Sequence, residues 1–265
     1  MAAPTDDLAP DHDANHQDHN EVMVAVPEVG RRFTGRRRVG LGDVTPFRRL
    51  RLDALAQYLQ DIATADYEDA GLPGTFAFVL RRVLVEAPVF PVLGERLTLT
   101  TFCGGLGQRW AERRTHITGD HGALVDCAAL WVSIDSAGRP VRLPSGFVDH
   151  YGEAAQGRTV SSRLTLGRPP DRLVTMAWAL RFADLDTLGH VNNAAHWQAG
   201  EELVAGRVPV RARIEYQSAL TLPGPAELLS VTAADGMDVC AWLSMDGRVH
   251  SSMAIRLQAA AFNNV

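Results

Sequence analysis

The residue types best able to do chemistry stand together in Arg181-Phe-Ala-Asp-Leu-Asp-Thr-Leu-Gly-His-Val-Asn-Asn-Ala-Ala-His-Trp197, where Asp186 supplies a carboxylate, His190 an imidazole, and Gly189 lies between them. A carboxylate can take a proton from water or attack a carbonyl directly. An imidazole can orient that carboxylate or stabilise charge beside it. The pattern predicts a strand over 176–182, a polar loop, and a helix over 190–205 that opens near Gly189 or His190. The first N–H groups of a helix lack intrahelical partners and carry partial positive charge. The backbone N–H groups at Gly189 and His190 are therefore the expected donors for an oxyanion, and acyl transfer or hydrolysis is the expected chemistry. The plainer reading, in which Asp186 only caps a turn and His190 is a structural histidine, stays open on these residues alone.

The elements that must hold this loop occur twice. Leu52-Asp-Ala-Leu-Ala-Gln57 is similar to Leu185-Asp-Thr-Leu-Gly-His190, which sets Asp53 opposite Asp186 and Gln57 opposite His190. Val92-Leu-Gly-Glu-Arg-Leu97 recurs loosely as Leu222-Pro-Gly-Pro-Ala-Glu-Leu228, and Trp131-Val-Ser-Ile-Asp135 as Trp242-Leu-Ser-Met-Asp246. Matches in one order imply two copies of a fold unit. Gln57 cannot take a proton at neutral pH, so the first copy is expected to be chemically retired and the pair to carry one site. Each copy reads as a strand, a helix, then a run of strands. The first has strands at 31–40, 76–90, 95–103, 108–119 and 122–135, with a helix over 51–69 on which Leu52, Leu55, Leu59 and Ile62 recur at helical spacing. A segment rich in Gly, Pro, Arg and Ser follows, with a short helix around Gly146 to Ala155. The second copy adds strands near 208–217, 226–234, 237–246 and 248–258 to its own strand and helix. The fold class is α+β, a long helix packed on an antiparallel sheet in each of two tandem units. The expected organisation is a disordered acidic arm at 1–25, an N-terminal unit at 26–150, a linker at 151–175 and a C-terminal unit at 176–265.

Composition narrows the class. The 265 residues are 46 % hydrophobic and 22 % charged, ordinary for a soluble globular chain of two such units. No apolar run nears the roughly 20 residues of a membrane span, and no secretory or transit segment is visible, so the cytoplasm is the expected compartment. The cysteines Cys103, Cys127 and Cys240 sit in apolar, strand-like runs and lack the spacing of a disulfide framework or metal site. Residues 1–30 hold seven acidic residues and no basic one, and His12, His16 and His19 read as part of a solvated tail. Every basic residue is arginine, with a cluster at 31, 32, 36, 37, 38, 48, 49 and 51. Such a surface could receive an acidic carrier protein or a phosphate-bearing thioester, or be a solvated strand face. No recognition motif accompanies it, which argues against nucleic acid as a partner. No phosphate-binding glycine loop and no ligand cluster points to a cofactor or a metal.

The Asp-x-x-Gly-His-Val-Asn-Asn run followed by an aromatic resembles the hotdog-fold thioesterases. The doubled arrangement over about 31–260, with Leu55-Ala-Gln-Tyr-Leu-Gln-Asp-Ile-Ala63, Gly71, Phe90-Pro-Val-Leu-Gly-Glu95 and Trp131-Val-Ser-Ile-Asp135, resembles the acyl-acyl carrier protein thioesterases of bacterial type. That resemblance implies two hotdog units and hydrolysis of fatty acyl-acyl carrier protein to free fatty acid in fatty acid biosynthesis. It also implies an acyl carrier protein partner and an acyl tunnel in the first unit, lined by its helix and the Phe76 to Val85 strand. Its catalytic Asp and His fall on Asp186 and His190, with the Gly189 N–H polarising the carbonyl. The family's Asn and its later acidic or thiol pair fall on Leu188 and Ala219-Leu220, so that part of the network is absent as such. Asn192 and Asn193 are expected to fix the turn, and Glu202, Glu201 or Glu215 to supply the missing carboxylate. The alternatives are an acyl-CoA thioesterase, a hydratase (disfavoured, since no Pro stands near the His), and a non-catalytic acyl-binding protein. Whether the double unit stands alone or pairs as a homodimer is left open.

Overall fold

The computed structural model describes residues 22–72 and 77–259. Most of the arm expected at 1–25, its three histidines and Phe76 lie outside the described residues. The first unit runs β1 (Arg32–Arg38), a single 3-10 turn at Leu41–Asp43, α1 (Leu52–Asp69), β2 (Ala77–Val89), β3 (Arg96–Leu106), β4 (Trp110–Gly119) and β5 (Leu124–Ile134). A short helix, α2 (Ser145–Ala155), comes next. The second unit repeats the order: β6 (Val174–Trp178), a 3-10 turn at Phe182–Asp184, α3 (Asn193–Val204), β7 (Pro209–Tyr216), β8 (Ala226–Thr232), β9 (Asp238–Met245) and β10 (Arg248–Leu257).

The strands form one antiparallel sheet in the order β1-β3-β4-β5-β2-β7-β10-β9-β8-β6. Unit by unit this order is a palindrome. The units therefore meet through β2 and β7 about a pseudo-two-fold axis, with Arg82 opposite Glu215 and Glu86 opposite Arg211. α1 and α3 pack against each other on one face of the sheet. Leu52, Leu55, Leu59 and Ile62 of α1 are buried there beside Trp197 of α3, each such side chain contributing about 1.5–3 kcal/mol by leaving water. α1 crosses β1 closely: a Cβ on Gly35 would lie 2.5 Å from Ile62 Cδ1.

The other sheet face is covered by the chain between α2 and β6. Trp110 Nε1–H donates to Val160 O (2.7 Å) and Trp242 Nε1–H to Gly167 O (2.8 Å). Arg82 donates to the carbonyls of Ser161 and Arg163. α2 buries Phe147, Tyr151 and Ala154 with Phe102 and Cys103, so the connecting segment starts only after Ala155. The expected match of Trp131 with Trp242 does not hold. Trp131 lies on β5, whereas Trp242 lies on β9, the counterpart of β4. The tryptophan that shares the work of Trp242 is Trp110.

Candidate active site

The loop between β6 and α3 is built around two aspartates. Asp184 ends the 3-10 turn and is gripped by Arg181, whose N–H donates to Oδ2 (2.8 Å) and Nη2 to Oδ1 (2.7 Å). Its carbonyl accepts the Asn192 N–H (2.8 Å). Inside that bracket Asp186 closes a tight turn: its N–H donates to His190 O (2.7 Å) and its carbonyl accepts the Gly189 N–H (3.1 Å). Asp186 Oδ1 accepts from the N–H groups of Leu188 (2.9 Å) and His190 (3.0 Å). Gly189 has φ +78°, the left-handed region that favours glycine, while a Cβ there would meet nothing within 4 Å. The glycine serves the turn's backbone rather than space.

This geometry corrects the expected helix start. α3 opens at Asn193, with Asn192 as N-cap accepting the Ala194 N–H on its Oδ1 (2.8 Å). The N–H groups of Gly189 and His190 are not the helix's first donors; both are bonded within the loop to Asp186. At the head of α3 the Asn193 N–H meets no described acceptor.

The first unit carries the same loop in another register than the sequence comparison suggested. Asp43 matches Asp184, Thr45 matches Asp186, Arg48 (φ +69°) matches Gly189, Arg49 matches His190, and Leu52 matches Asn193. The bonds repeat: Thr45 N–H to Arg49 O (2.8 Å), Arg51 N–H to Asp43 O (2.9 Å), and Phe47 N–H to Thr45 Oγ1 (3.2 Å). Asp53 is instead buried in a salt bridge with Arg51, and Gln57 is exposed on α1. The shared Leu-Asp-x-Leu run misled because the loop's identity resides in its backbone bonds, which tolerate Thr for Asp and Arg for His.

Asp186, Thr187 and Asn192 form part of the wall of a cavity of about 600 Å³ that runs between α1, α2 and strands β3 to β5. Its apolar wall includes Phe78, Phe102, Trp131 and Phe147, all from the first unit or α2; its polar groups include Gln60 and Arg113. Asn193 lines a small adjoining cavity with Gln60, Trp197 and Tyr216. Among the described residues, neither cavity wall includes His190, Gly189, Glu202 or Glu215. His190 is half-buried in the same loop.

The carboxylates expected to replace the missing acid are placed elsewhere. Glu202 is exposed. Glu215 is fully buried, accepting the N–H groups of Thr165 (2.9 Å) and Leu166 (3.0 Å) and pairing with Arg213 (2.6 Å), and so anchors the connecting segment. Glu201 pairs with Arg49 and accepts the Leu52 N–H (3.0 Å). At Ala219 the neighbour is His250, whose Nδ1 lies 2.8 Å from Ala219 O and 3.1 Å from Ser218 Oγ. Sequence reasoning missed Gln60, remote along the chain from Asp186; only its arrival on the same cavity wall by folding marks it. Burial pushes the Cys103 thiol up to about 11, leaving it protonated at the cavity wall at neutral pH. No helix among the described residues is long and apolar enough to cross a membrane.

A helix wrapped by an antiparallel sheet, repeated about a pseudo-two-fold axis with an acid-bearing loop at one helix head, defines a double hotdog-fold protein. Residues 30–151 match the model of the acyl-ACP thioesterase N-terminal domain. Over that stretch the chain is similar to the acyl-ACP thioesterases, and the match supports a thioester hydrolase. The fold is similar to that of a Lactobacillus plantarum protein assigned as an oleoyl thioesterase (17 % identity, 89 % of this chain and 100 % of that one, TM-score 0.76). It is also similar to the 12:0-ACP thioesterase from Umbellularia californica (16 % identity, 86 % and 97 %, TM-score 0.73). In sequence, the chain is 25 % identical over 211 residues to the uncharacterized protein Rv2001 of Mycobacterium tuberculosis, covering 77 % of this chain and 84 % of that one.

Proposed function

We propose that this thioester hydrolase releases free fatty acid from fatty acyl-acyl carrier protein, with Asp186 as its base. The observation that carries the reading is the pair Thr45 and Asp186. Thr45 holds the first loop with a hydroxyl oxygen, so the turn needs only an acceptor; the carboxylate of Asp186 exceeds that need, and it is the one that borders the large cavity. Its Oδ1 is held by two N–H groups, while Oδ2 accepts from no described residue.

In the proposed reaction the acyl chain lies among Phe78, Phe102, Trp131 and Phe147, and the thioester carbonyl lies at the head of α3, where the helix dipole favours a developing oxyanion. Asp186 takes a proton from water as the water oxygen attacks the carbonyl carbon. The C–S bond then breaks, the sulfur leaves as thiolate, and the proton returns to it. His190 orients Asp186 and its water from the same loop. The exposed Arg32, Arg36 and Arg38 of β1 form a cationic edge suited to an acidic carrier.

The test is fatty acid release from a ladder of acyl-carrier and acyl-CoA thioesters, with wild type beside Asp186→Asn. Asparagine retains the Oδ1 that accepts both N–H groups, so the loop should persist while kcat falls by about 10³-fold. Near-wild-type turnover by the variant would remove Asp186 from the chemistry. A preference for acyl-CoA at equal chain length would replace the carrier.

A further inference from the structure

The pseudo-two-fold axis makes each helix answer for the other's loop. At the head of α1, Glu201 of α3 reaches across: its Oε2 accepts the Leu52 N–H (3.0 Å) and its Oε1 pairs with Arg49. Carboxylate oxygens thus sit between the first N–H of a helix and the side chain that matches His190. Applied in the other direction, the same axis brings a residue of α1 toward the head of α3 and the Asn193 N–H. Counting from the two helix starts, Leu52 and Asn193, the counterpart of Glu201 is Gln60. The cavities agree independently. Gln60 lines the larger one with Asp186 and Asn192, and the smaller one with Asn193 and Ala194. Its amide bonds to no described residue, and neither does the Asn193 N–H.

We propose that Gln60, supplied by the first unit to the second unit's site, is a catalytic residue whose amide N–H donates to the thioester carbonyl oxygen beside the Asn193 N–H. The two copies differ in the way this role requires. A glutamate at the helix position accepts, and so plugs its own loop's donors; a glutamine is neutral, can donate, and does not repel Asp186. The retired first site is thus filled by Arg49 and Glu201, whereas the second keeps a free donor pair open to the cavity. The inference rests on the thioesterase reading of Asp186.

The experiment measures kcat and KM for acyl thioester hydrolysis by Gln60→Leu and Gln60→Glu, with Asp186→Asn alongside and thermal melts of all three. Loss of one oxyanion donor should lower kcat by about 10²-fold with KM changed only a few-fold and the melting temperature retained. Gln60→Glu should be at least as slow at neutral pH and recover in part as the pH falls and the new carboxyl becomes a donor, a signature that mere packing would not give. If Gln60→Leu turns over within about threefold of wild type while Asp186→Asn is inactive, this proposal alone is overturned. If Asp186→Asn is itself fully active, the base assignment falls and this inference with it.

Discussion

Asp186 and Thr45 are one structural position with two chemistries. Each closes a tight turn by accepting a backbone N–H two residues on, from Leu188 and Phe47 respectively. The turn therefore tolerates any short side chain with an acceptor oxygen, and such Asx and ST turns account for its local shape. Asp186→Thr copies the first unit's residue into the second loop. It should leave the melting temperature within a few degrees of wild type while fatty acid release is lost, a split read by a thermal melt and a turnover assay on one sample. A melting temperature that falls steeply would instead make the Asp186 carboxylate structural. Type and spacing single out the residues of this loop, and Asp186 does border the large cavity. Their hydrogen-bond roles were not legible in the sequence, because the N–H groups of Gly189 and His190 serve Asp186 rather than the helix head.

Elements were legible where one physical signal dominated. α1 was expected over 51–69 and spans Leu52–Asp69, because its buried leucines recur at helical spacing and Gly71 stops it. α3 was harder. It was expected from 190, yet begins at Asn193, since the Leu185–Val191 bridge holds the preceding residues extended and Asn192 caps the helix. α3 also buries a polar residue that spacing alone would not single out: His196, whose Nδ1 lies 2.9 Å from Ser251 Oγ against the edge of Tyr216. Burial, with the neighbouring His250 second, lowers its pKa from 6.5 to about 4. The folded protein thus refuses a proton that the unfolded chain binds, so stability is full above about pH 6.5 and falls as the pH drops toward 4. The loss should reach roughly 3 kcal/mol. Denaturant melts across that range should show the slope in wild type and lack it in His196→Asn; parallel curves would contradict the assignment.

At the scale of the whole molecule, two units of one pattern join in a single sheet. The β2–β7 pairing sets the axis, and the axis sets Gln60 at the second unit's loop and Glu201 at the first's. The connecting segment clamps the outer face of that junction through Glu215, opposite Arg82 in the β2–β7 register. Removing one partner of a buried ion pair typically costs about 3–5 kcal/mol. Glu215→Gln should therefore destabilise the protein by about 3 kcal/mol and speed proteolytic cleavage between Ala155 and Val174. Cleavage at the wild-type rate would show that Trp110, Trp242 and Arg82 suffice to hold the segment. The sequence by itself determined the element order, the duplication and the loop that carries the acid, since periodicity, turn residues and short motifs are local properties of the chain. Only the tertiary structure decided the register of the duplication, the fate of Glu215 and the placing of Gln60 on one cavity wall with Asp186. Those depend on an axis created by one strand pairing, and on backbone hydrogen bonds that different side chains satisfy equally well.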